Sequence, residues 1–261
     1  MMSRKGLVIL VIVLVSGTFI IEHEVFPSQN ASGRKNPMAW LMLLLDEPSR
    51  PLETDISVLV DEVDDNNLLY TLSYLTSFDS RHSYETQEEV LGFIRAELEK
   101  TGAMIRLHEY EYSGRTWHNL VATIPGNASL DPDEPHLVVG AHIDSVPGSP
   151  GADDNASGVS ATVEAARVLA SADLPMRVDF VFFTMEEQGK PGSRSYAADA
   201  WASGEVIEAM IAVDMVAYGS PGEDLELATK PSMAWIAQDY KTAADTYTEL
   251  VTVPFIDESC G

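Results

Sequence analysis

Seven residues carry groups from which metal-assisted chemistry could be built: His142, Asp144, Asp153, Asp154, Glu186, Glu187 and Asp214. An imidazole and several carboxylates, with no thiolate among them, form a hard nitrogen and oxygen donor set suited to zinc or another divalent first-row ion. Taken singly, each has an ordinary structural explanation. A lone histidine at a strand end usually makes a structural hydrogen bond, consecutive acids such as Asp153-Asp154 cap helices or sit in turns, and Glu186-Glu187 alone would be a solvated pair. Their joint placement reverses that balance, because so many carboxylates gathered in one cleft repel each other unless a cation binds there.

The elements that would place them can be read from the apolar pattern. Residues 137–141, 178–183 (interrupted by Asp179) and 210–213 are short, nearly continuous apolar runs, the signature of strands covered on both faces. His142 follows the first run, Glu186 and Glu187 the second, and Asp214 the third. In an open α/β sheet ligands bind outside the carboxyl ends of the strands, so these groups converge on one edge. Asp153 and Asp154 lie in the loop after the first strand and reach the same edge.

Helical patterns over 156–170 and about 194–202 separate the strands, which predicts an α/β fold with a mixed, largely parallel central sheet and helices on both faces. Upstream, helical spacing starts at Ile56 and is interrupted over 64–67. Thr86-Gln87-Glu88-Glu89 reads as a capping box for a helix whose apolar face is Val90, Leu91, Ile94 and Leu98 and which ends at Gly102. Residues 105–112 and 119–124 form two strands joined by a turn at Ser113-Gly114-Arg115. A helix around 234–244 and a strand at 249–253 are expected near the end.

At 261 residues the chain can hold one α/β domain with a sizeable core, or at most two small domains. Sixteen Lys and Arg against 41 Asp and Glu give a formal charge of −25, which argues against nucleic acid as a partner. The single cysteine, Cys260, excludes a Cys₄ zinc module and an internal disulfide framework. Arg4 and Lys5 precede an apolar run over 7–21, so residues 1–25 read as a signal peptide or a retained signal anchor. A linker over 26–54 and a catalytic domain over 55–261 follow, and the protein is expected outside the cytoplasm, secreted or membrane-anchored.

Four motifs in order, His142-x-Asp144, Gly151-Ala152-Asp153-Asp154-Asn155-Ala156-Ser157-Gly158, Glu186-Glu187-x-Gly189-x-x-Gly192-Ser193 and Val213-Asp214-Met215, resemble the signatures of metallopeptidase family 28, the di-zinc aminopeptidases. The similarity runs from about Leu72 to the end. It implies a three-layer zinc-exopeptidase fold, peptide substrates and two zinc ions. His142 and Asp214 would hold one zinc, Asp153 would bridge to the second, and Glu187 would bind that second ion. Glu186 would be the general base, and Asp144 would accept a hydrogen bond from His142. A cis peptide bond is expected at Asp153-Asp154.

The pattern departs from the family in two places. The family's last histidine ligand, usually within Ser-Asp-His, has no counterpart after His142. The final residues, 257–261, resemble the approach to that motif, so the chain is expected to be truncated before it and weakly active or inactive as it stands. Lys190-Pro191 replaces the apolar pair more usual between the two glycines. Other exopeptidase reactions, glutaminyl cyclisation and a non-catalytic, receptor-like role remain open on the same scaffold.

Overall fold

A computed structural model describes residues 56–126, 130, 134–217 and 225–257. The expected signal segment, the linker and Cys260 lie outside the described residues. In chain order the elements are α1 (Ile56–Asp61), α2 (Asp65–Leu75), α3 (Tyr84–Glu99), β1 (Met104–Tyr112), β2 (Arg115–Ile124), β3 (His136–His142), α4 (Gly158–Leu169), β4 (Val178–Phe183), α5 (Pro191–Ser203), β5 (Ile207–Ala212), β6 (Leu225–Thr229), α6 (Ala234–Tyr247) and β7 (Thr252–Ile256). Among the described residues no helix is long and apolar enough to cross a membrane.

The central sheet has the order β1-β2-β4-β3-β5. It is mixed, as expected. The parallel part is β4-β3-β5, and the β1-β2 hairpin extends it antiparallel. All three strands that precede the candidate ligands therefore lie side by side and point the same way.

Every residue of β3 and β4 is buried, as their continuous apolar runs require. Alternate side chains divide between two layers. Leu137, Val139, Ala141, Phe180 and Phe182 pack with Leu75, Ile94, Leu98 and the apolar residues of α4. On the other face Val121, Val138, Val181 and Phe183 meet Tyr196 of α5. The first layer holds most of the apolar burial, and truncating fully buried Phe182 to alanine there would cost about 3–5 kcal/mol.

Several boundaries differ from the sequence reading. Asp64 caps α2, its side chain accepting from Asn66 N, which explains the break over 64–67. The cap of α3 is Ser83, three residues before the capping box read from sequence, with Thr86 donating its amide to Ser83 Oγ at 3.2 Å. Ser83 and Thr86 supply the reciprocal polar pair, and Glu88 and Glu89 fall inside the helix. β6 and β7 form a separate two-stranded parallel sheet, packed against α6, and β7 lies three residues beyond its expected start.

Candidate metal centre

β3 ends at His142, and the next residue keeps the strand's direction through a bond from Ile143 N to Phe183 O at 2.9 Å. The imidazole is buried at 6% exposure. Its Nε2 lies 3.1 Å from Asp154 Oδ1 and 3.5 Å from Asp214 Oδ1. One donor atom from each of His142, Asp154 and Asp214 lies within 4.8 Å of the others, the separation that a single cation could span.

Behind the imidazole sits Asp144, fully buried, with Oδ1 3.4 Å from His142 Nδ1. Its two oxygens also accept the amides of Glu186 and Glu187, each at 3.0 Å. One carboxylate thus ties the end of β3 to the turn after β4. That turn is a single 3-10 segment, Glu186–Gln188, entered through Met185 at a φ of 64°. Gln87 of α3 holds the entry, accepting from Met185 N at 3.2 Å and donating to His82 O at 3.1 Å. Lys190, the departure noted in the sequence, has its Nζ 3.1 Å from Glu186 Oε1.

The loop from β3 to α4 corrects two expectations. Asp154, and not Asp153, is the carboxylate that stands beside His142 and Asp214. Asp153 Oδ1 instead accepts Ala217 N at 2.9 Å and Ser157 Oγ at 3.2 Å, which is the turn-holding role that consecutive acids commonly play. The cis peptide bond is Asp154-Asn155, one residue later than expected.

Asn155 holds the third ligand-bearing segment in place. Its buried amide donates to Val213 O at 2.8 Å, and its Oδ1 accepts Gly158 N at 3.0 Å and Met215 N at 3.3 Å. The start of α4 and the residues on either side of Asp214 are thereby joined by one side chain. A Cβ on Gly158 would stand 2.2 Å from Asn155 Oδ1 and 2.5 Å from Val213 O, so only glycine allows this approach.

Charge is badly balanced in the cleft. Burial pushes His142 down, but the hydrogen bonds and charges of Asp144 and Asp214 outweigh it and raise the imidazole to about 10. Burial raises Asp154, and Asp214, Glu186 and Asp144 raise it further against the attraction of His142. Burial also raises Glu187, with Asp154 the largest charge acting on it. In this state a protonated histidine supplies the positive charge that the carboxylates demand. A divalent cation in the same place would supply more, so the donor set fits a metal.

A second acid-histidine group, His136, Asp179 and Glu205, lies at the opposite end of β3. Its chemistry is different. Arg177 Nη2 stands 2.8 Å from His136 Nε2, 3.3 Å from Glu205 Oε2 and 3.6 Å from Asp179 Oδ2, so a guanidinium already fills the cation's place. Thr123 Oγ1 completes the network by donating to Asp179 at 2.7 Å.

Sequence reasoning missed Arg81, Gln87 and the tether that Asn155 makes to the residues around Asp214. Arg81 carried no motif or periodicity that could have singled it out, and Gln87 was absorbed into a capping pattern. Glu186 and Glu187 lie outside the three-residue cluster but are coupled to it electrostatically: the charge of Glu186 raises Asp154, and the charges of Asp154 and His142 act on Glu187.

A mixed α/β sheet that presents a histidine and carboxylates at the ends of three adjacent parallel strands belongs to the class of α/β folds that can hold a divalent cation at that edge. The comparisons with known proteins identify which. Peptidase family M28 matches residues 119–261, more than half of the chain, and the chain belongs to that family. Leucine aminopeptidase 1 of Sclerotinia sclerotiorum is 28% identical over 82% of this chain and 60% of its own length. A probable leucine aminopeptidase of Trichophyton verrucosum is 27% identical over 79% of the chain and 59% of its own length. The chain therefore spans about three-fifths of these curated relatives.

Solved structures agree on the fold. The Legionella pneumophila LapA aminopeptidase superposes with a TM-score of 0.66 at 22% identity, over 80% of this chain and 60% of that one. A Porphyromonas gingivalis glutaminyl cyclase superposes with a TM-score of 0.56 at 22% identity, over 74% and 76%.

Proposed function

We propose that the protein is a zinc-dependent aminopeptidase that removes amino-terminal residues from peptides outside the cytoplasm. The observation that carries this reading is the convergence of His142, Asp154 and Asp214 at 3.1 and 3.5 Å beside Glu186 and Glu187, in a chain of family M28. Two zinc ions are proposed. His142 and Asp214 would hold one, Glu187 the other, and Asp154 would be shared between them.

When bound, the metals would polarise the scissile carbonyl and acidify a water. The remaining work falls to the chain. Asp144 fixes the imidazole so that Nε2 faces the metal side. Glu186 takes a proton from the attacking water and passes it to the leaving amine, so that the C–N bond breaks to a free amine and a free acid. The basic residues Arg4 and Lys5 ahead of the apolar run over 7–21 support export, as a secreted or membrane-anchored protein with a catalytic domain from residue 55.

The test is hydrolysis of leucyl-anilide by the full-length protein with and without zinc. Metal-dependent release of the aniline is the expected result, and no turnover with two zinc ions bound would overturn it. An amino-terminal glutaminyl peptide assayed alongside separates cyclisation, which releases ammonia and a cyclic product, from hydrolysis.

A further inference from the structure

We infer that Arg81 is a positioning residue: its buried guanidinium clamps both ends of the 143–151 loop, so that His142 and Asp154 face each other before any cation binds. This rests on the metal reading proposed above, and it adds what sets the spacing of that site.

Arg81 is fully buried and is among the largest side chains in the core. Among the described residues it makes no ion pair with a carboxylate. Instead its Nε donates to Ile143 O at 2.7 Å, Nη1 to Leu75 O at 3.1 Å and to Pro150 O, and Nη2 to Gly151 O at 3.1 Å. Ile143 directly follows His142, and Gly151 lies three residues before Asp154. Leu75 is the last residue of α2, so the clamp is anchored to the scaffold.

The main chain of Arg81 adds a further tie. Its N–H donates to Ser145 Oγ at 2.9 Å, and that hydroxyl donates to Ser149 O at 2.8 Å. Gly151 then bends at a φ of +55°, where a Cβ would stand 2.2 Å from Asp154 O, 2.6 Å from Ser145 Cβ and 2.9 Å from Arg81 Nη2. Glycine is required here by the positive φ and by the Asp154 carbonyl, and the Arg81 guanidinium closes the remaining side.

Burying an arginine carries a large desolvation penalty, and carbonyl dipoles only partly offset it. The residual balance comes from the site itself. Burial lowers the Arg81 pKa to about 10, while the charges of Asp144 and Asp154 act to raise it, so the group stays cationic at neutral pH. A planar fork with five N–H donors can serve four carbonyls at once, and lysine's point charge with three cannot. Arg81 is thus both the strut of the loop and a fixed positive charge beneath the carboxylates.

The experiment uses the full-length protein with Arg81→Lys, Arg81→Met and Ser145→Ala, the last removing one anchor while leaving the guanidinium. Leu98→Ala, a fully buried core truncation in α3, is the stability control. Amide hydrogen exchange over 143–156 is read in the metal-free protein, zinc affinity by chelator competition, and folding by circular dichroism. Both Arg81 variants should exchange faster across this loop and bind zinc about 10- to 100-fold more weakly, with Ser145→Ala between them and wild type. Leu98→Ala should lower the melting temperature and leave loop exchange and zinc affinity unchanged.

Wild-type loop protection and zinc affinity in Arg81→Lys would overturn the inference, and so would equal zinc loss in Leu98→Ala. If an Arg81 variant does not fold, Ser145→Ala decides by the same two readouts. Failure of the wild-type protein to hydrolyse leucyl-anilide would count against the proposed function alone, since loop exchange is measured without metal or substrate.

Discussion

Asp153 and Asp154 are neighbours in sequence, yet Asp153 Oδ1 takes the Ala217 amide at 2.9 Å while Asp154 Oδ1 stands 3.1 Å from His142 Nε2. The first carboxylate holds a turn together and the second joins the histidine. The two should therefore respond differently to the same substitution. Asp154→Asn is expected to abolish measurable zinc binding at one position. Asp153→Asn should retain binding and lose about 1–3 kcal/mol of stability through weakened bonds to Ala217 and Ser157. Zinc titration with parallel urea unfolding distinguishes them, and equal metal loss in both would restore the bridging role to Asp153.

Glu186 is the proposed general base. Replacing it with glutamine keeps the shape of the turn, because the Asp144 bond is made to the Glu186 backbone amide and not to its side chain. Turnover of leucyl-anilide should fall by about 10²- to 10⁴-fold, with bound zinc unchanged. Unaltered kcat would remove Glu186 from the reaction.

Asp144 joins two parts of the site, touching His142 on one side and the Glu186 and Glu187 amides on the other. Asn at this position offers one acceptor oxygen where the carboxylate offers two. Zinc affinity should drop by about 10- to 100-fold, and kcat should fall together with it because Glu186 loses its tether. A change in KM alone, with full zinc affinity, would contradict that coupling.

His136 gives the fold a dependence on pH. Burial, reinforced by the adjacent Arg177, lowers its pKa from the ordinary 6.5. The unfolded chain therefore binds the proton first as pH falls. Stability from this group is fully present above pH 6.5, declines as pH falls below that value, and levels off once the folded state also protonates. His136→Gln keeps an acceptor for Arg177 and removes the titration, so its melting temperature should vary less between pH 7 and pH 4.5 than that of wild type. Identical slopes would show that the carboxylates alone set the acid limit.

Much of this protein was legible from periodicity and motif order. Continuous apolar runs marked β3 and β4 because both of their faces are covered, and burial on two sides leaves no room for polar alternation. Strand ends located His142 and Asp214, since a parallel sheet brings its carboxyl ends to one edge whatever the loops do. Family resemblance to M28 then agreed with a match over residues 119–261.

Other features were decided only in three dimensions. Which of two adjacent aspartates turns inward depends on Ala217 and Ser157, and Ala217 lies 64 residues from Asp153. The role of Arg81 depends on four carbonyls drawn from α2 and the 143–151 loop, and backbone acceptors leave no trace in residue type. Likewise Arg177 turned a second acid-histidine group into an ion network by occupying the space a metal would need. Sequence alone determined which chemical groups reach the sheet edge, because strand direction and side-chain type are local properties. Their orientation toward one another was set by long-range hydrogen bonds, which exist only once the chain has folded.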